Sequence, residues 1–139
     1  MVMAQHPSAA TLPADPTLDE IRAALAPLVA ASAAFDGFTT ATLDEAADAL
    51  GIDRDVARLA FPGGARDMVD AWFATIDAAM AERCPAETLA TMKIRERITR
   101  LVETRIDLLA ANRESLRRAL ALLALPTNAP HAAKLGWRA

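Results

Sequence analysis

Apolar positions recur along this chain at steps of three and four, the spacing of one helix face, and the pattern is interrupted at glycine and proline. Thr17-Leu18-Asp19-Glu20 forms a capping box, with a hydroxyl for an orphan N–H and a glutamate three residues on. Leu18, Ile21, Leu25, Leu28 and Val29 follow at helical spacing, and Gly37 marks the stop. A second box, Thr42-Leu43-Asp44-Glu45, predicts a short helix ending at Leu50-Gly51. Asp53 is placed to cap a third helix, Arg54 to Phe61, closed by Pro62-Gly63-Gly64. Two short helices joined through a glycine-led turn, after a longer one, have the layout of a helix-turn-helix.

Beyond the glycines the helices lengthen. Met68, Val69, Trp72, Phe73, Ile76, Ala79 and Met80 form one stripe from Arg66 to Arg83, and Pro85 predicts a break. The next helix is expected from about Met92 to Ala111, with Ile94, Ile98, Leu101, Val102, Ile106 and Leu109 turned inward. Asn112 is expected to cap a helix from Arg113 to about Leu125. Its half from Ala119 to Leu125 is apolar on all sides, which predicts burial at the centre or in an interface. A last segment starts near Pro130 and still runs at Trp137. Residues 1–16 show no periodicity and are expected to be a disordered tail. The organisation expected is therefore a tail at 1–16, a three-helix unit at 17–64 and a longer helical part at 65–139.

Composition sharpens the fold class. Of 139 residues 34 are alanine, tyrosine is absent and aromatics are 4%, which disfavours strands and favours an all-α bundle. No charge-free apolar run reaches the roughly 20 residues a spanning helix needs, because prolines interrupt Ala23–Phe35 and Ala119–Ala133. The first 21 residues hold no lysine or arginine, so no secretory or transit segment is expected. The single cysteine, Cys84, rules out an internal disulfide and is read as a small buried filler.

Charge is divided unevenly. Residues Asp15 to Asp70 carry 11 acids and four arginines, whereas Lys93 to Arg138 carry ten basic residues and four acids. The stretch Thr42–Phe61 has Arg54 and Arg58 against Asp44, Glu45, Asp48, Asp53 and Asp55. Phosphate contacts supply most non-specific affinity for a duplex and each needs a cation, so no nucleic-acid partner is expected. Enzyme chemistry is not expected either. Neither His6 nor His131 has a glutamate three residues before it, as a di-iron bundle requires, and no glycine-rich phosphate loop or placed triad histidine exists. No metal and no cofactor are predicted.

Two resemblances add to this. The string ATLDEAADALGIDRDVARLAFPGGARDMVDAW resembles the N-terminal helix-turn-helix of TetR-type regulators, with Gly51 in the turn and Phe61-Pro62 ending the would-be recognition helix. The polar residues that such helices offer to DNA are replaced by Val56, Ala57, Arg58, Leu59 and Ala60, and Gly64 stands where a lysine follows. The stretches FPGGARDMVD, KIRERITRLVETRIDLLAANRESLRRALALLALPTNAP and LGWRA resemble the Coq-nine family of ubiquinone-biosynthesis accessory proteins, from about Phe38 to Ala139. That resemblance implies a TetR-like helical bundle that binds isoprenoid lipid and presents quinone intermediates to the demethoxyubiquinone hydroxylase. It implies partners that are isoprenoid quinones or phospholipid, the hydroxylase and a membrane surface, in the bacterial cytoplasm beside the inner membrane. A homodimer is implied for the complete protein. Members continue for several more helices, so the domain is expected to be incomplete at its C-terminus, with apolar surface left uncovered. On this resemblance Trp72, Phe73, Ile76, Met80, Ile98, Leu101, Leu120 and Leu123 are the candidate lipid-lining residues, for which plain core packing is the competing reading. The alternative function is a TetR-type DNA-binding transcriptional regulator.

Overall fold

A computed structural model describes residues 12–138, and among them every regular element is helical. The expected tail falls largely on residues 1–11, outside the described residues. Helix α1 spans Leu18–Asp36, α2 Thr40–Leu50, α3 Arg54–Ala60, α4 Ala65–Arg83, α5 Ala86–Ala90, α6 Ile94–Ala110, α7 Arg113–Leu123 and α8 Ala129–Arg138, with a 3₁₀ turn at Pro126–Asn128 before α8. The all-α class is correct. The helices occur in the expected order, with the short α5 added after Pro85.

Helix α1 is the centre. Its capping box forms as the sequence predicts, with Glu20 N donating to Thr17 Oγ1 at 3.1 Å and Thr17 N donating to Glu20 Oε1 at 2.9 Å. Ile21, Ala24, Leu25, Ala26, Val29, Ala30 and Ala33 are all buried, so α1 is covered on several sides by α2, α3, α4 and α7. Small side chains allow those neighbours to approach closely. The Ser115 hydroxyl of α7 reaches across to donate to the Ala30 carbonyl. Gly37, at φ 76°, ends α1 in a conformation that an L side chain adopts only with strain.

The second capping box forms differently. Helix α2 starts at Thr40, and Thr39 is its cap, its Oγ1 accepting from Thr42 N at 3.2 Å. Thr42 is buried, and its hydroxyl donates instead to the Gly37 carbonyl at 2.8 Å. The Gly37 carbonyl accepts from Thr39 N at 3.1 Å as well, so both threonines serve the glycine stop. At α3 the expected cap holds, with Asp53 Oδ1 accepting from Asp55 N at 2.8 Å. Asn112 precedes α7 without a side-chain capping bond.

A clamp joins the three-helix unit to α4. Arg22 of α1 donates to the carbonyls of Ala60 at 3.0 Å and Asp67 at 3.4 Å, and its guanidinium lies 5.2 Å from the Phe61 ring centre. The Asp67 carboxylate sits 3.6 Å from Arg22 and accepts from Gly63 N at 2.6 Å. A β-carbon at Gly63 would lie 2.6 Å from that carboxylate, so the turn admits only glycine without displacing it.

Helix α6 overturns one expectation. Ile94, Ile98, Val102 and Ile106 were expected inward but are 70, 57, 51 and 60% exposed. Thr104 is the buried position of this helix, its hydroxyl donating to the Arg100 carbonyl at 2.7 Å and lying 3.4 Å from the buried Cys84 sulfur. Arg105 reaches Asp77 of α4 at 2.7 Å. The apolar stripe of α6 is wider than the single seam against α4, so the seam takes one edge and leaves the other outside. Helix α7 is likewise divided, because Ala119 and Leu123 enter the core while Leu120, and Leu125 just past the helix, stay exposed. At the end of the chain, His131 Nε2 lies 2.7 Å from Asp70 Oδ1 and holds α8 against α4.

Leu25→Ala should lower unfolding free energy by about 2–5 kcal/mol, since it leaves a cavity in the centre. Ile98→Ala should stay within about 0.5 kcal/mol, as surface changes do. Denaturant melts of the two variants check the contrast.

Candidate functional site

Two regions hold chemistry that can meet a ligand. The first is the α2–α3 pair. Gly51, at φ 68°, closes α2 in a left-handed conformation, and Ile52 N donates to the Ala47 carbonyl at 2.9 Å. The turn points α3 outward with Arg54, Asp55, Arg58 and Leu59 exposed. Both arginines are occupied. Arg58 makes a two-pronged contact with Asp44, Nε to Oδ1 at 3.2 Å and Nη2 to Oδ2 at 2.7 Å. Arg54 does the same with Asp48, at 3.0 and 2.6 Å. Asp44 is 9% exposed and lies 3.9 Å from Arg54 as well, so it anchors both cations. The hydrogen bond from Arg54 holds the Asp48 carboxyl below its ordinary range, and the same contact raises Arg54. Arg58 is raised by the hydrogen bond it donates to Asp44 in the same way. The surface where a helix-turn-helix would meet phosphates is thus neutralised from within.

The second region is a groove of about 340 Å³ lined by Gly37, Phe38, Arg118, Ala121, Leu122 and Leu125. The glycine stop after α1 turns the chain so that Phe38 faces α7. Phe38 stacks tilted on Trp72 with ring centres 6.0 Å apart, and Trp72 meets Phe73 at 5.6 Å. The groove therefore has an aromatic floor continuous with the core. Arg118 supplies the only charged side chain of the lining. A β-carbon at Gly37 would lie 3.5 Å from its Nη1, and Glu114 lies 3.6 Å from its Nε.

The eight candidate lipid-lining residues divide between the inside and the outside. Trp72, Ile76 and Leu123 belong to the core, and Phe73 and Met80 pack against it half-buried. Leu101 is half-buried, while Ile98 and Leu120 are exposed. None of the eight lines the groove between Gly37 and Leu125. A second shallow groove, of about 380 Å³ along α6, is lined by Met92, Arg95, Glu96, Thr99, Arg100 and Glu103 and also contains none of them. Periodicity identifies apolar faces and does not tell which edge a neighbour covers; Ala121, Leu122 and Leu125 belong to the all-apolar stretch, whereas Gly37, Phe38 and Arg118 lie outside any stripe. The signal that could have found them is Gly37 itself, because a helix stop followed by an aromatic residue directs that ring onto the nearest helix. No group of three or more His, Cys, Asp or Glu among the described residues is gathered to hold a metal ion.

The Asp48 carboxyl should titrate below the ordinary value of 3.8, and Arg54→Ala should move its midpoint upward. The pair is intact above the ordinary carboxylate pKa and is lost as pH falls through the depressed one. Carboxyl-carbon NMR titration of both forms checks it. Comparison with family models, with curated proteins and with solved structures finds no match for this chain.

Proposed function

We propose that this chain is a non-enzymatic lipid-binding accessory protein of ubiquinone biosynthesis, which binds isoprenoid quinone intermediates and presents them to the demethoxyubiquinone hydroxylase. The observation that carries the reading is the groove at Phe38, Ala121, Leu122 and Leu125, apolar except for Arg118. An isoprenoid tail fits a slot of aliphatic and aromatic walls, and the guanidinium is placed to donate to a quinone oxygen or a phosphate. The likeness of Lys93–Pro130 and of the Phe61–Asp70 stretch to the Coq-nine family names the lipid class. No described helix is long and apolar enough to cross a membrane, so contact with a bilayer in this reading is peripheral.

A TetR-type transcriptional regulator is the second reading, favoured by the α2–Gly51–α3 turn. Against it stand the two internal arginine–aspartate pairs, which leave α3 without a cation to release counterions from DNA.

Mass spectrometry of lipid extracted from the purified natural protein should find isoprenoid quinone or phospholipid. Arg118→Glu and Leu125→Glu, both at exposed positions, should each lower the recovered lipid several-fold. Repeated absence of lipid, or recovery unaffected by either change, would sink this reading. For the rival, fluorescence anisotropy with duplex DNA at low ionic strength should show no salt-dependent binding. A slope worth several phosphates would favour the regulator instead.

A further inference from the structure

Arg118 has two negative neighbours before any ligand arrives. Glu114, one turn earlier on α7, places Oε2 3.6 Å from Arg118 Nε and Oε1 3.3 Å from Arg117 Nη2. The other neighbour is the end of α1. Gly37 closes that helix, and Arg118 Nη1 lies 3.5 Å from where its β-carbon would stand. A helix C-terminus carries about half a negative charge, which a cation in the last turn offsets. Helix α1 has no basic residue there and ends on Asp36. Arg118 supplies the missing cation from the neighbouring helix, so its charge is committed to the end of α1 and to Glu114.

That commitment decides which head group the groove accepts. Phosphates are held at helix N-termini and by arginines with open donors, where dipole and charge act together. The polar end of this groove has the opposite character, a helix C-terminus beside a shared carboxylate, and an anion would be repelled by both. Bringing like charges together is costly, and that cost separates one ligand from another. A neutral oxygen needs only an N–H. Arg118 can offer one, because a guanidinium has five N–H donors and Glu114 faces its Nε edge. The walls at Phe38, Leu122 and Leu125 meet an apolar chain in the same way whatever head it carries.

We propose that Glu114 sets the head-group selectivity of this groove, which takes an apolar chain with a neutral hydrogen-bonding head and turns away one with an anionic head. The inference rests on the lipid-binding reading and adds to it the residue that chooses between the two acceptors open to Arg118.

Isothermal titration of the whole chain with farnesol and with farnesyl phosphate, which share a tail and differ in the head, tests it. Glu114 and Arg118 are 43 and 44% exposed, so solvent screening limits the expected preference for farnesol to about fivefold. Raising the salt concentration should strengthen the phosphate's binding by screening the repulsion. Glu114→Gln should bring the two affinities within about twofold of each other while leaving that for farnesol nearly unchanged. A purely structural Glu114 would move both probes together. Leu125→Glu should weaken both, which locates the binding in the groove. Farnesyl phosphate that binds as tightly as farnesol, or more weakly as salt rises, overturns the proposal and leaves the lipid groove standing. So does a preference that survives Glu114→Gln. If neither probe binds, or if binding is indifferent to Leu125→Glu, the lipid-binding reading falls and this proposal falls with it.

Discussion

The structure depends on how closely helices can approach α1. Four of its seven buried residues are alanine, and a helix surfaced with methyl groups lets neighbours come near the short end of the usual 8–10 Å separation. Three consequences follow from that closeness. The Ser115 hydroxyl reaches the Ala30 backbone, Ala47 and Ala57 can be buried against the same helix, and Ala119 of α7 is fully buried. Larger residues at Ala26, Ala30 or Ala33 would push α2, α4 and α7 apart together, because all three rest on one helix. The abundance of alanine thus reflects packing as much as helix propensity.

The three-helix unit is held by local caps and by charge pairs between α2 and α3. Its turn glycine and its caps set α3 outward from α2. At the surface, Asp44 and Asp48 on α2 each hold an exposed arginine of α3. Exposed pairs of this kind contribute little to stability. Their effect is on the surface potential, which each pair brings toward neutral.

Much of the fold was legible because local signals and tertiary structure agree. The Thr17–Glu20 box, the Gly37 and Gly51 stops and the Asp53 cap act within four residues, and all four appear where the chain spells them. The departures arise where a residue answers to something distant. Thr42 was read as a cap and is instead a donor for the Gly37 carbonyl. The isoleucines of α6 have the period of a core face, but period alone does not reveal that α4 covers one edge only. Helix α5, five residues after Pro85, has no apolar stripe and left no trace in the pattern. The groove was missed for a similar reason, since Phe38 and Arg118 are 80 positions apart and meet only through the path of the chain.

The Arg22 clamp bears on cooperativity. Helix α3 has seven residues, far too few to persist alone in water, so its hydrogen bonds last only while its surroundings hold. Arg22 ties the carbonyl end of α3 to α1, and through Asp67 to the first turn of α4. The α2–α3 pair is therefore not a head that pivots on a hinge. It opens only when α1 and α4 open, which makes its backbone amides reporters of global unfolding rather than of local fraying.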